Sequence, residues 1–154
     1  MKLSRILLVL GVLTGLPSVW ETLAFSWDPT FQAPALRYGS EHTNYHAFRE
    51  FTLTLGALSI MLWVIFQPAE NRSPAMWTTM LLAGVFYYGG WWLPWPLLGL
   101  HTPNLAAELV HEATAALSLA AIAMSWWQFH PGRRSLRVSM PSKIERPHPY
   151  PRFR

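Results

Sequence analysis

Apolar positions fall into four long stretches, from about Leu3 to Phe25, His46 to Phe66, Ala75 to Leu98 and Leu105 to Phe129. A bilayer core of about 30 Å takes about 20 apolar residues in helical form, so each stretch is long enough to cross one. The punctuation between them agrees. Ser73-Pro74 and Thr102-Pro103 each read as an N-cap followed by proline at the first helical position. Gln67-Pro68 and Pro131-Gly132 stop the second and fourth stretches. Gly89-Gly90, Pro94 and Pro96 predict that the third is bent or unwound over its last turns. The pattern predicts an all-α bundle of four transmembrane helices over residues 1–130, then a basic, proline-rich cytoplasmic tail over 131–154. Lys2 and Arg5 ahead of Ile6–Leu16 also have the form of a secretory signal. Bulky Trp20 and Glu21 follow with no small-x-small site before them, so the first stretch is expected to stay as a signal anchor.

Composition narrows the class. Of 154 residues, 51% are apolar and 13% charged, a charged share about half the usual one. That excludes a disordered chain and an ordinary cytosolic enzyme. The chain has no Cys, which excludes disulfide scaffolds, Cys-ligated zinc, iron–sulfur clusters and thiol catalysis. With both termini inside, ten of the twelve Lys and Arg lie on the cytoplasmic side. This positive-inside asymmetry predicts an N-in/C-in, multi-pass protein of the cell inner membrane. The net charge of +4 is then a topology signal, and no nucleic-acid partner is expected. The tail reads as a topology anchor on anionic headgroups, or as a docking strip for a partner subunit.

Aromatic residues mark the two boundaries. Trp20, Trp27, Trp91, Trp92 and Trp95 fall near the outer one, and Trp77, Trp126 and Trp127 near the inner one. This is the belt of a membrane protein; a pigment cage or a sugar-stacking platform is the sharper alternative. His42, His101, His130 and His148 fall outside the spans and read as exposed polar residues. The fourth stretch is rich in Ala and Ser, which lets neighbouring helices approach closely, and Gly11, Gly15, Gly56 and Gly84 are expected to act the same way.

Ionisable groups inside a span cost about 2.5–3.5 kcal/mol each on insertion scales, so they are candidates for function. His46, Arg49 and Glu50 open the second stretch at i, i+3 and i+4, on one helical face. Glu108, His111 and Glu112 repeat that spacing in the fourth. Glu21 closes the first, and the third contributes Tyr87 and Tyr88. Given the orientation, all of these fall in the outer third of the membrane. They predict one shared polar site opening outward, with Glu108, His111, Glu112 and Arg49 as catalytic candidates and His46, Glu50, Tyr87 and Tyr88 as binding candidates. In the inner half, Thr52, Thr54, Thr78 and Thr79 are the obvious polar residues, which argues against a continuous proton or ion conduit.

Charge leaves three solutions for this site. Glu21, Glu50, Glu108 and Glu112 against Arg49 leave a net negative charge that does not sit unpaired in low dielectric. Some carboxyls stay protonated, His46 and His111 become cationic, or a metal ion binds. Four Glu and two His match the ligand count of dimetal carboxylate bundles, and Glu108-x-x-His111 has their spacing. The possible metal set is thus Glu21, His46, Glu50, Glu108, His111 and Glu112. Against it, His46-x-x-x-Glu50 has the wrong spacing, the third helix supplies Tyr, and Arg49 would repel a metal. A haem between His46 and His111 fits less well, because the flanking Glu residues put negative charge beside the iron. A hydrogen-bonded interhelical network with Arg49 paired to Glu108 or Glu112 is the structural alternative.

The run Asn44-x-His46-x-x-Arg49-Glu50, followed by Leu53, Leu55, Gly56 and Ala57, resembles small bacterial four-span membrane proteins of the DoxX-like kind. Glu50 stands where Asp is commoner in that group. The resemblance covers residues 15–60 and implies a four-helix membrane fold with a polar patch at the second helix, and no settled activity. Three functions compete. The first is a membrane protein whose outer polar pocket binds or transforms a small or lipophilic molecule, with Glu108 or Glu112 as acid, His111 as base and Arg49 as electrostatic stabiliser. The second is an accessory subunit of a larger respiratory or photosynthetic-type complex, with partner membrane subunits or a homo-oligomer. The third is a metal-dependent membrane oxidoreductase.

Overall fold

The computed structural model describes residues 1–28, 40–102 and 104–130. In chain order these form α1 (Lys2–Trp27), α2 (Ser40–Ile65), a 3-10 turn (Ala69–Asn71), α3 (Pro74–Trp92), the short α4 (Pro94–Leu98) and α5 (Leu105–Phe129). All regular structure among the described residues is helical. Segments of three helices, Lys2–Ala24, Asn44–Ile65 and Leu105–Phe129, are long and apolar enough to cross a membrane. Helix α3 has 19 residues, about 28 Å at the helical rise. It carries no charged side chain. The predicted tail, Pro103, His148 and residues 29–39 of the expected outer loop lie outside the described residues.

The ends of the helices follow from local chemistry. Ser73 caps α3, its hydroxyl accepting from the Met76 N–H at 3.3 Å, with Pro74 in the first turn. Helix α3 ends where Pro94 and Pro96 supply no backbone donors. The Leu93 N–H closes it on the Gly89 carbonyl, and α4 then runs to Gly99, which takes the left-handed conformation at φ 67°. Two boundaries differ from expectation. Helix α5 is capped by Asn104, whose side chain accepts from the Ala107 N–H at 2.9 Å; Thr102 is engaged instead with Glu108. Helix α2 starts at Ser40, so His46 already lies in its second turn.

The four long helices pack side by side, α1 on α2 and α5, and α3 on α2 and α5. The registers make each neighbouring pair antiparallel. Ser18 meets His111 while Gly11 meets Ser118, and Trp77 reaches Ile122 while Tyr88 reaches Ser118. Met1 and His130 therefore share one end, called here the terminal end. The most extensive contact is α1 on α5, and it depends on two glycines one turn apart. A Cβ on Gly11 would stand 2.2 Å from Ser118 Oγ, and one on Gly15 would stand 2.9 Å from Thr114 Cγ2. Gly84 serves likewise between α3 and its neighbours, where a Cβ would meet Ile122 Cδ1 at 2.6 Å. Gly56 differs from expectation: a Cβ there meets nothing within 4 Å.

The interior is unevenly filled. Leu8, Met61, Val64, Ile65, Met80, Ile122 and Phe129 are fully buried toward the terminal end and form an apolar plug. There Arg5 closes the C-terminus of α2, donating to the carbonyls of Ile65 at 3.0 Å and of Phe66 and Gln67 at 3.2 Å. Arg72 donates twice to Gln67 O, at 3.1 and 3.0 Å. The last carbonyls of a helix have no partners within it and carry its negative dipole end, so both cations fit. Burial, and then the like charge of Arg5, lower the Arg72 guanidinium from its ordinary value, while Glu70 opposes them.

Aromatic placement is split. Trp20, Trp27, Trp92, Trp95 and Trp127 are exposed, as a boundary belt requires. Trp77 and Trp126 are half-buried and pack edge-to-face at 4.4 Å. His130, expected to be exposed, is half-buried and stacked on Trp126 at 3.5 Å. The reason is the Trp126 carbonyl, which lies 2.9 Å from His130 Nδ1 and holds the ring against the helix end.

The glycine seam gives the first prediction. Gly11→Leu should destabilise the protein in mild detergent by about 1–3 kcal/mol, because a packed interface does not absorb the added atoms. Gly56→Ala should be neutral or stabilising by up to about 1 kcal/mol, from helix propensity alone. Thermal unfolding followed by circular dichroism checks both.

Candidate functional site

Away from the plug, the same interior positions change character. At the end opposite Met1 and His130, polar and aromatic side chains surround a cavity of about 240 Å³. Every long helix contributes to its lining: Ser18 and Thr22 from α1, Glu50 and Thr54 from α2, Tyr87 and Trp91 from α3, and His111 from α5. The loop before α5 borders the mouth with Leu100, His101 and Thr102. Helices α2 and α5 stand at opposite corners of the ring, so Glu50 and His111 enter the cavity from opposite sides.

His111 is the most constrained member. Its Nε2 is hydrogen-bonded to Ser18 Oγ, across the α1–α5 seam. Its ring lies against Trp91, with centroids 4.5 Å apart and planes tilted by 41°. Its Nδ1 is buried without a hydrogen-bond partner. One imidazole nitrogen is always a donor and the other an acceptor in the neutral ring, so one capacity stays unused in either tautomer. An unmet buried polar group costs about 1–3 kcal/mol. Thr114 Oγ1, one turn further along α5, is buried and unpartnered as well. On the facing wall, Tyr87 lines the cavity beside Thr54 and Glu50. Tyr87 and Trp91 pack at 5.4 Å, one turn apart on α3.

Of the residues singled out by spacing, Glu50, Tyr87 and His111 are brought together here. The others lie elsewhere. Tyr88 is fully buried and accepts from Ser118 Oγ at 2.8 Å, which makes it part of the core beneath the cavity. Glu108 Oε2 accepts from Thr102 Oγ1 at 2.5 Å and from the Thr102 N–H at 3.4 Å, so it ties the loop to the start of α5. Glu112 is exposed and shares with Glu108, Trp92 and Trp95 a separate groove of about 520 Å³ on the outer face of α5. Glu21, His46 and Arg49 are exposed. Arg49 stands on α2, across the ring from the α5 carboxylates, so the expected pairing with Glu108 or Glu112 has no geometry to support it. Among the described residues, no three His, Asp or Glu side chains come together as a metal-holding group. The expected excess of negative charge is thereby dispersed: of the carboxylates counted, Glu50 borders the cavity while exposed itself, and the rest face outward or bind the loop.

Ser18, Thr54 and Trp91 belong to the cavity and were not among the residues singled out for it. Their signal was present in the chain. Gly11, Gly15, Ser18 and Thr22 form one small, polar stripe on α1 at helical spacing, and Thr54 and Trp91 lie one turn from Glu50 and Tyr87. Trp91 sits in sequence among the boundary tryptophans, but half-buried packing on His111 draws it inward.

The loop clamp is separable from the cavity wall. Thr102→Val and Glu108→Ala should each speed amide hydrogen exchange over residues 99–102, and Glu112→Ala should not. Mass-spectrometric exchange on protein in mild detergent checks this. No protein-family model matches the chain, and no curated protein or solved structure matches it either.

Proposed function

We propose that this chain is a four-span, N-in/C-in protein of the cell inner membrane whose outer-end cavity binds a small or lipophilic molecule. The observation that carries the reading is the cavity itself: a polar chamber built by all four long helices, with His111 held on one side and Glu50 with Tyr87 on the other. Pockets between the helices of a bundle, mostly apolar with a few convergent polar groups, are the usual form of a ligand site. Ionisable residues at membrane depth that face the interior are functional candidates by default. Glu50 and His111 give the chamber a proton donor and acceptor on opposing walls, which suits proton transfer to and from a bound molecule. The remaining sequence candidates, Arg49, His46, Glu21, Glu108 and Glu112, serve in this reading at the rim and the lateral face. The plug of apolar residues toward the terminal end closes the chamber on that side, which speaks for a dead-end site over a conduit.

Orientation has its own support. Met1, Lys2, Arg5, Arg72 and His130 gather at one end, as the positive-inside rule requires of a cytoplasmic face. The cavity then opens on the opposite, periplasmic side.

The chain's lack of Cys makes the topology directly testable. With Ala47→Cys, which lines the cavity, an impermeant maleimide should react on intact cells from which the outer barrier has been removed. With Ala69→Cys, at the terminal end, it should react only after permeabilisation. The reverse pattern would overturn the orientation. The site is tested by native mass spectrometry, metal analysis and an absorption spectrum on protein in mild detergent. A bound molecule or ion should be retained by the wild type and weakened about tenfold or more by Glu50→Gln or His111→Ala. Equal retention by wild type and both variants would sink the site.

A further inference from the structure

The cavity has a neighbour on the lateral surface. Between α2 and α3 runs an open groove of about 720 Å³. Glu50, Thr54, Tyr87, Gly90 and Trp91 border both the groove and the cavity. From this shared border the groove continues along the two helices past Gly56 to Ile60, and past Phe86 to Leu82. From Glu50 to Ile60 that is about 15 Å of helix axis.

Two glycines keep this route open. A Cβ on Gly56 or on Gly90 would meet nothing within 4 Å, unlike those on Gly11, Gly15 and Gly84, which are pressed against neighbouring helices. Glycine in a helix interior costs about 1 kcal/mol relative to alanine. Here close helix packing does not account for it, and the missing side chains leave space along the groove. Beyond the border the groove is apolar except for Thr52: Leu53, Ile60, Leu82 and Phe86 are exposed on it. Among the described residues that line either space, Glu50 is the one acidic or basic side chain besides His101 and His111.

We propose that the α2–α3 groove is a lateral portal through which the cavity takes its ligand from the bilayer. The ligand is an amphiphile with a hydrogen-bond-donating head, an amine or a hydroxyl, on a single apolar chain. The inference rests on the cavity reading above and names the ligand class and its route. The head lies among Glu50, Tyr87 and His111, where an acidic acceptor faces it and, among the described lining residues, no Lys or Arg competes. The chain lies along Gly56 in the groove, on a surface that α2, a helix apolar enough to span, turns toward lipid. A freely water-soluble ligand would need no apolar channel of this length. A carboxylate-headed lipid would meet the Glu50 charge.

The test uses full-length protein in lipid nanodiscs and hexadecylamine with a mid-chain diazirine. After illumination, label should concentrate on the peptides covering 50–60 and 82–91. Unlabelled hexadecylamine or hexadecanol should compete, separating amine from hydroxyl by their relative strength, and hexadecanoic acid should not. Gly56→Leu and Gly90→Leu should each cut this labelling about tenfold by filling the route. Their melting temperatures should not fall, because the new side chains enter open space. A small aqueous diazirine amine, run in parallel, separates the two readings. If it labels the cavity residues while the long-chain probe labels all helices evenly or ignores Gly56→Leu, the portal is wrong and the cavity reading survives. If neither probe gives label above the nanodisc background, both readings fall.

Discussion

The close approach of α1 to α5 is the constraint from which the rest follows. In a membrane the hydrophobic effect does not drive helices together, so their association rests on tight packing and interhelical hydrogen bonds. Gly11 and Gly15 remove two side chains from α1 where Ser118 and Thr114 of α5 need the room. The helices then pass near enough for Ser18, one turn on, to bond His111. That bond fixes the imidazole against Trp91 and brings α3 into the same contact. Ser118 extends the seam by donating to Tyr88. One stripe of small residues thus sets both the packing of three helices and the wall of the cavity.

The division along the bundle axis follows from what each half has to satisfy. The terminal half fills its interior with aliphatic side chains and Phe129, and it spends its cations on the carbonyls at the end of α2. The other half replaces those interior side chains with Ser18, Thr54, Tyr87 and His111, with the exposed Glu50 at their border, and these leave space between them. Among the described residues, the buried unpartnered side-chain atoms are Asn44 Oδ1 near the start of α2, His111 Nδ1 in this region and Thr114 Oγ1 in the seam below it. Native proteins keep such groups where function or adaptation requires them. The same half ends in the broken α3–α4 segment, where two prolines and Gly99 shape the mouth.

Much of this was legible in the chain. Four apolar stretches, the Ser73 cap and the proline break after Leu93 all follow from local rules, and the helices obey them. That Glu50, Tyr87 and His111 share one end of the bundle was legible too, because this depends only on position along a helix, whereas Thr54, expected in the inner half, lines the cavity with them. Facing was not. Successive residues turn by about 100° around the axis, so Glu108, His111 and Glu112 share a broad stripe and not a single direction. At the corner of a bundle such a stripe divides: His111 turns inward, and the two glutamates turn to the loop and the lateral face. Tyr87 and Tyr88 divide for the same reason, one to the cavity and one to the core. Which side of each stripe faces inward depends on the α1–α5 seam, and spacing within one helix does not report on its partner.

The contact between Ser18 and His111 is the point where packing becomes a site, so it is the contact to measure. Solid-state NMR on protein in lipid bilayers, with carbon-labelled serine and nitrogen-labelled histidine, reads it as a dipolar coupling between Ser18 Cβ and His111 Nε2. The account predicts a strong coupling that disappears in Ser18→Ala, while the remaining histidine signals stay in place. A His111 signal without any serine coupling, unchanged by Ser18→Ala, would mean that α1 and α5 do not meet there, and the cavity as described would not exist.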